Sequence, residues 1–259
     1  MRKLHCAAVV VLSACAAAAA AGPDQVRRWK LVEEVTYDWR GDSNPYEFVM
    51  RIPEDHEAGG YFTQLRIFRG GREIFQLTDD DGLAKVKEAL SFPEIVEASS
   101  QNLLKSEYLL MLPGLKGRST DPVLMLFGWG YGSSPGSLHV IALDSTGIPK
   151  GILRLTNFDL WSITDLDHDG VPELIGRKCL TQEWGPGFLT YDPVLVYRFG
   201  AGPDSPMTLD TALSQRYNEE HLYGWAGSEC SEDLAVVLHP PGGGSPRIMP
   251  AKEAEALFK

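Results

Sequence analysis

Ile163-Thr164-Asp165-Leu166-Asp167-His168-Asp169-Gly170-Val171-Pro172-Glu173-Leu174-Ile175 is the stretch on which the reading of this chain turns. Three carboxylates stand at alternate positions, a glycine follows, and a fourth carboxylate comes four residues after the third. Alternate residues of an irregular loop can turn their side chains inward together, and the glycine allows the sharp bend this needs. The pattern suits a hard, oxygen-seeking cation. Before the loop, Phe158, Leu160, Trp161 and Ile163 are strand-like, and Leu174 and Ile175 resume the apolar pattern after it. The segment therefore predicts a cation loop joining two β-strands.

Calcium takes six to eight oxygens, and the expected ligands are the side chains of Asp165, Asp167, Asp169 and Glu173 with the carbonyl of Val171. His168 falls between ligand positions and is expected to point outward. A helical calcium hand requires a bidentate glutamate at position twelve and a helix on each side. Position twelve here is Gly176, and Pro172 bars a helix from starting inside the loop.

The N-terminus reads as an export signal. Arg2 and Lys3 precede an apolar run centred on Val9-Val10-Val11-Leu12, and an alanine tract follows. The run is too short for a permanent membrane span and fits a cleaved signal over residues 1–21. Two cleavage readings stand. Leu12-Ser13-Ala14-Cys15 resembles a bacterial lipobox, which makes Cys15 a lipidation site; Ala19-Ala20-Ala21 fits ordinary small-residue cleavage. With Ala16 after the cysteine, the lipobox resemblance implies an outer-membrane lipoprotein; otherwise the expected compartment is the periplasm. The membrane is touched only through the lipid anchor.

The net charge is −11 with Arg2 and Lys3 included and −13 without them. So acidic a surface repels phosphate backbones, and no nucleic-acid partner is expected. Of four cysteines, Cys6 goes with the signal and Cys15 is either the lipid anchor or lost as well, leaving Cys179 and Cys230. Two cysteines in an exported chain read as one disulfide. Closing a loop of about 50 residues, it would contribute about 3 to 4 kcal/mol in the chain-entropy picture.

The rest of residues 22–259 reads as a single β-rich domain with peripheral helices. Strands are expected near residues 29–39, 46–52, 61–68 and 73–77, the last two across the Gly70-Gly71 turn. Asp79-Asp80-Asp81-Gly82 reads as a solvated turn capping a helix over residues 83–90. Further strands are expected at residues 123–127, 138–143, 151–155, 159–164, 173–176, 193–199 and 235–238. Ser205-Pro206 opens the strongest helical pattern, so residues 205–259 are expected to form a C-terminal helical extension.

Asp165-x-Asp167-x-Asp169-Gly170-x-x-Glu173 between strands resembles the loop of FG-GAP or VCBS-type repeats, and the strand, Gly-rich turn and hairpin before it resemble the rest of such a repeat. The likeness spans residues 123–178. It implies a partial β-propeller-like or sandwich-like arrangement of antiparallel sheets and a Ca²⁺ ion that staples strands. One such loop is present, where the family has several.

Motifs for catalysis are sparse. Gly132-Ser133-Ser134-Pro135-Gly136 fits a nucleophile-elbow pattern, but a strand follows, and Pro135 removes the N–H that would line an oxyanion hole. His139 lies in an apolar strand and reads as a satisfied core residue. Trp129, Tyr131, Trp184 and Trp225 adjoin glycines; they are candidates for contact with a glycan or protein ligand, or else cap the ends of the β core. The expected function is that of an exported cell-envelope protein, a non-catalytic binding or scaffold protein for an envelope protein or glycan. The alternative is a hydrolase of an envelope polysaccharide or peptidoglycan.

Overall fold

The computed structural model describes residues 27–56, 59–89, 102–113, 122–128, 136–178, 180–202, 205–230, 234–240 and 243–257. Cys15, Trp129, Tyr131, Ser133 and Cys179 lie outside them, as does the whole signal segment.

Strand outweighs helix, 48% against 10%, and the sheets do not close into a barrel. Four four-stranded antiparallel sheets are present among the described residues. The first is a meander of β1 (Trp29–Tyr37), β2 (Tyr46–Pro53), β3 (Tyr61–Arg69) and β4 (Arg72–Ala84), followed by the short α1 (Val86–Ala89). The second is a meander of β5 (Leu110–Leu112), β6 (Val123–Phe127), β7 (Leu138–Leu143) and β8 (Pro149–Leu155). Then β9 (Asp159–Thr164) and β10 (Glu173–Arg177) begin a third sheet. The chain leaves it for β11 (Glu183–Gly185) and β12 (Phe188–Thr190), then returns with β13 (Val194–Arg198) and β14 (Thr208–Leu209). After α2 (Thr211–His221), β15 (Ala235–Leu238) and β16 (Arg247–Pro250) complete the fourth sheet on β12, and α3 (Ala251–Ala256) follows.

The second sheet is central: its strands β5, β6 and β7 are buried on both faces, and β5 and β6 are wholly apolar. In β6, Val123, Met125 and Phe127 join a core with Leu160, Leu174 and Leu195 of the third sheet. Leu124 and Leu126 point the other way, into a core with Phe48, Leu65 and Ile67 of the first sheet. The period-two alternation of a strand makes this division, and it explains why β6 has no polar residue. The three sheets thus pack face to face in chain order, a mainly β arrangement of antiparallel sheets as expected.

Three local expectations are corrected. Asp79-Asp80-Asp81-Gly82 is not a turn before a helix: β4 continues through it to Ala84, and Asp79 is buried. A buried hydrogen-bond partner for Asp79 draws this segment into the sheet. The helix expected from Ser205 starts only at Thr211. The residues before it are extended, because Met207 donates its N–H to the Ile152 carbonyl at 2.8 Å and Leu209 pairs with Tyr197. Asp210 caps the helix instead, its side chain accepting from the Leu213 N–H at 2.9 Å. Residues 205–259 are accordingly no helical extension: they add β14, β15 and β16 to two sheets as well as two helices.

Candidate metal centre

The acidic loop connects β9 to β10, which pair directly, with Ile163 opposite Leu174 and Thr164 opposite Glu173. Gly176 sits at the irregularity of this ladder, where a Cβ would stand 2.2 Å from the Asp159 carbonyl oxygen. Position twelve is thus occupied by the one residue the close strand approach tolerates. Two residues in the loop turn take positive φ, His168 at 61° and Gly170 at 88°; glycine does so without strain, and histidine is among the side chains that tolerate it.

Backbone donors fix the loop carboxylates. Asp165 Oδ2 accepts from the Gly170 N–H at 2.9 Å, and Asp169 Oδ1 from the Val171 N–H at 2.8 Å. Glu173 Oε2 accepts from the Leu166 N–H at 2.8 Å. Asp165, Asp167 and Glu173 each bring a carboxylate oxygen to within 4.8 Å of the others. Opposite ligands of one calcium ion, each at about 2.4 Å, stand about 5 Å apart, so this group fits a single coordination sphere. Asp165 Oδ1 is buried with no hydrogen-bond partner, and an orphaned carboxylate oxygen of this kind is costly unless a cation or water meets it. All three donors are hard oxygens, which suit calcium. Asp169, also expected as a ligand, is exposed and not part of this convergent group, and His168 is exposed next to it.

One residue that the sequence did not single out completes the cluster. Arg198, at the end of β13, extends its guanidinium to Asp167 Oδ2 at 2.8 Å, Asp169 Oδ2 at 2.6 Å, Glu173 Oε1 at 3.5 Å and Asp210 Oδ2 at 3.4 Å. Burial works against its charge, but the facing Asp167, Glu173 and Asp169 prevail and raise its pKa. Glu173 is 1% exposed, and burial pushes its carboxyl above the usual range; Asp167 adds to this, against the Leu166 N–H and Arg198.

Beyond the loop, a buried polar group joins the first two sheets. His139 Nε2 of β7 lies 2.8 Å from Asp79 Oδ2 of β4, and Ser137 Oγ donates to the same oxygen at 3.1 Å. The hydrogen bond from His139, opposed by burial, holds the Asp79 carboxyl below the usual range. Serine, histidine and aspartate here do not form a catalytic relay. A relay needs the acid on one ring nitrogen and the serine on the other, whereas Ser137 and Asp79 both face Nε2.

The two described tryptophans of the Gly-rich loops are not brought together. Trp184 packs against Phe188, ring centroids 6.0 Å apart, over the fourth sheet. Trp225 packs against the core shared by the second and third sheets. Near Cys230, its Sγ lies 3.9 Å from Asp192 Oδ1, and Lys178 pairs with Glu229 at 3.6 Å. Against known proteins, no family model, curated protein or solved structure gives a significant match to the chain.

Proposed function

We propose that this chain is an exported cell-envelope binding or scaffold protein, non-catalytic, whose loop at residues 165–173 holds a structural Ca²⁺ ion. The convergence of Asp165, Asp167 and Glu173 between two paired strands, with a buried and unpartnered Asp165 oxygen, carries the calcium reading. An ion there ties β9 to β10 and, through Glu173, reaches the core beside Leu174. Asp169 and the Val171 carbonyl are the remaining loop ligands in this reading.

A Cys179–Cys230 disulfide belongs to the same proposal. The ion pair between Lys178 and Glu229 supports it, because it brings the two immediately preceding residues side by side. The bridge would tie the connection after β10 to that before β15. The N-terminal segment acts as the export signal: cleavage before Cys15 makes that residue the lipid anchor, and cleavage after Ala21 gives an unanchored mature chain. The partner is an envelope protein or glycan.

Differential scanning calorimetry with and without calcium tests the ion, and mass spectrometry of the mature N-terminus tests the anchor. Purification from native membranes tests the binding role: a co-purifying protein or glycan supports it, and cleavage of an envelope polymer by the purified chain would replace it with the hydrolase reading.

A further inference from the structure

We infer that Arg198 is a resident counter-cation of the loop that competes with calcium and so sets its affinity. The inference rests on the calcium reading above. Two of the three convergent carboxylates, Asp167 and Glu173, are also partners of this guanidinium, at 2.8 and 3.5 Å. An ion drawing those carboxylates into its shell competes with Arg198 for their negative charge and places two further positive charges beside it. Coordination and the guanidinium contact therefore oppose each other. Arginine does not lose its charge at any working pH, so the opposition persists.

The geometry also gives Arg198 somewhere to go. Asp210 Oδ2, at 3.4 Å, lies outside the loop altogether. Asp210 is the cap of α2 and sits on the neighbouring connection. A guanidinium released by the loop carboxylates keeps this partner and is not stranded. Without the ion, Arg198 offsets the mutual repulsion of the loop carboxylates; with it, the same residue stands at the edge of the coordination shell as a like charge.

Calorimetric titration of calcium into the calcium-stripped full chain tests this with Arg198→Gln, which keeps polarity and approximate length but removes the charge. Tighter calcium binding by about tenfold is expected, the scale of one nearby charge in a partly solvated site, with a lower melting temperature for the calcium-free variant. Arg198→Lys, which keeps the charge, is expected to stay within about threefold of the parent affinity. Equal or weaker calcium binding by Arg198→Gln, or a large gain in affinity on Arg198→Lys, would overturn the inference while leaving the calcium site intact. Absence of calcium binding in both the parent and Arg198→Gln would overturn the calcium reading, and this inference with it.

Discussion

The carboxamide of Asn218 grips both backbone groups of Val194: Oδ1 accepts from its N–H at 3.1 Å, and Nδ2 donates to its carbonyl at 2.7 Å. Ser214, one turn earlier on α2, accepts the Val196 N–H at 2.9 Å. The helix thus supplies side-chain partners along a part of β13 that β14 is too short to cover. Asn218→Ala leaves a buried donor and a buried acceptor unmet and is expected to cost about 2 to 4 kcal/mol. Urea denaturation measures it; a loss below about 0.5 kcal/mol would show that water replaces the amide.

Calcium at about a hundred times its dissociation constant is expected to raise the melting temperature by roughly 5 to 10 °C. Asp167→Ala should abolish the rise. A melting temperature indifferent to calcium in the parent protein would sink the ion.

Asp79 predicts an acid dependence. Its folded-state pKa is depressed, so its ionised form favours the folded state. That contribution is fully present above the ordinary carboxylate range and is lost as pH falls through the depressed value. Asp79→Asn should flatten this part of the stability profile and cost about 1 to 3 kcal/mol at neutral pH, since His139 loses its charged acceptor. Denaturation curves at pH 7 and pH 3 check it: a variant as acid-sensitive as its parent rules Asp79 out.

A Cys179–Cys230 bridge makes stability redox-dependent. Reduction should cost about 3 to 4 kcal/mol, and Cys230→Ser should already be lowered by that amount and respond no further to reductant. Equal melting of the parent with and without reductant would exclude the bridge.

Legibility followed the range of each signal. β6, β7 and β9 have the boundaries expected from sequence, because apolar runs bounded by turn residues are local. The acidic loop was legible for the same reason: Asp165 to Glu173 is one short segment. β11, β12 and β14 were missed, being two or three residues long and too short to display a period. Ser205-Pro206 gave a sound helix-start signal, yet the Met207 and Leu209 pairings hold the backbone extended there. Arg198 and the Asp79–His139 pair were illegible in principle. Arg198 meets Asp169, 29 residues away, because β13 pairs with β10, and Asp79 meets His139, 60 residues away, because the first two sheets pack together.

The order in which the strands are written has its own consequence for biogenesis. The first two sheets are each finished before the next begins, so each can close while the following residues are still emerging. The third and fourth are threaded through one another: β11 and β12 interrupt β10 and β13, and β12 waits for β15. An exported chain delivered from its N-terminus would carry β12 unpaired to β15 until residues near 235 arrived. The loop at residues 165–173 lies at the threshold of that exposed interval, so an ion captured there early would hold β9 on β10 as a template while the rest of the molecule is still being delivered.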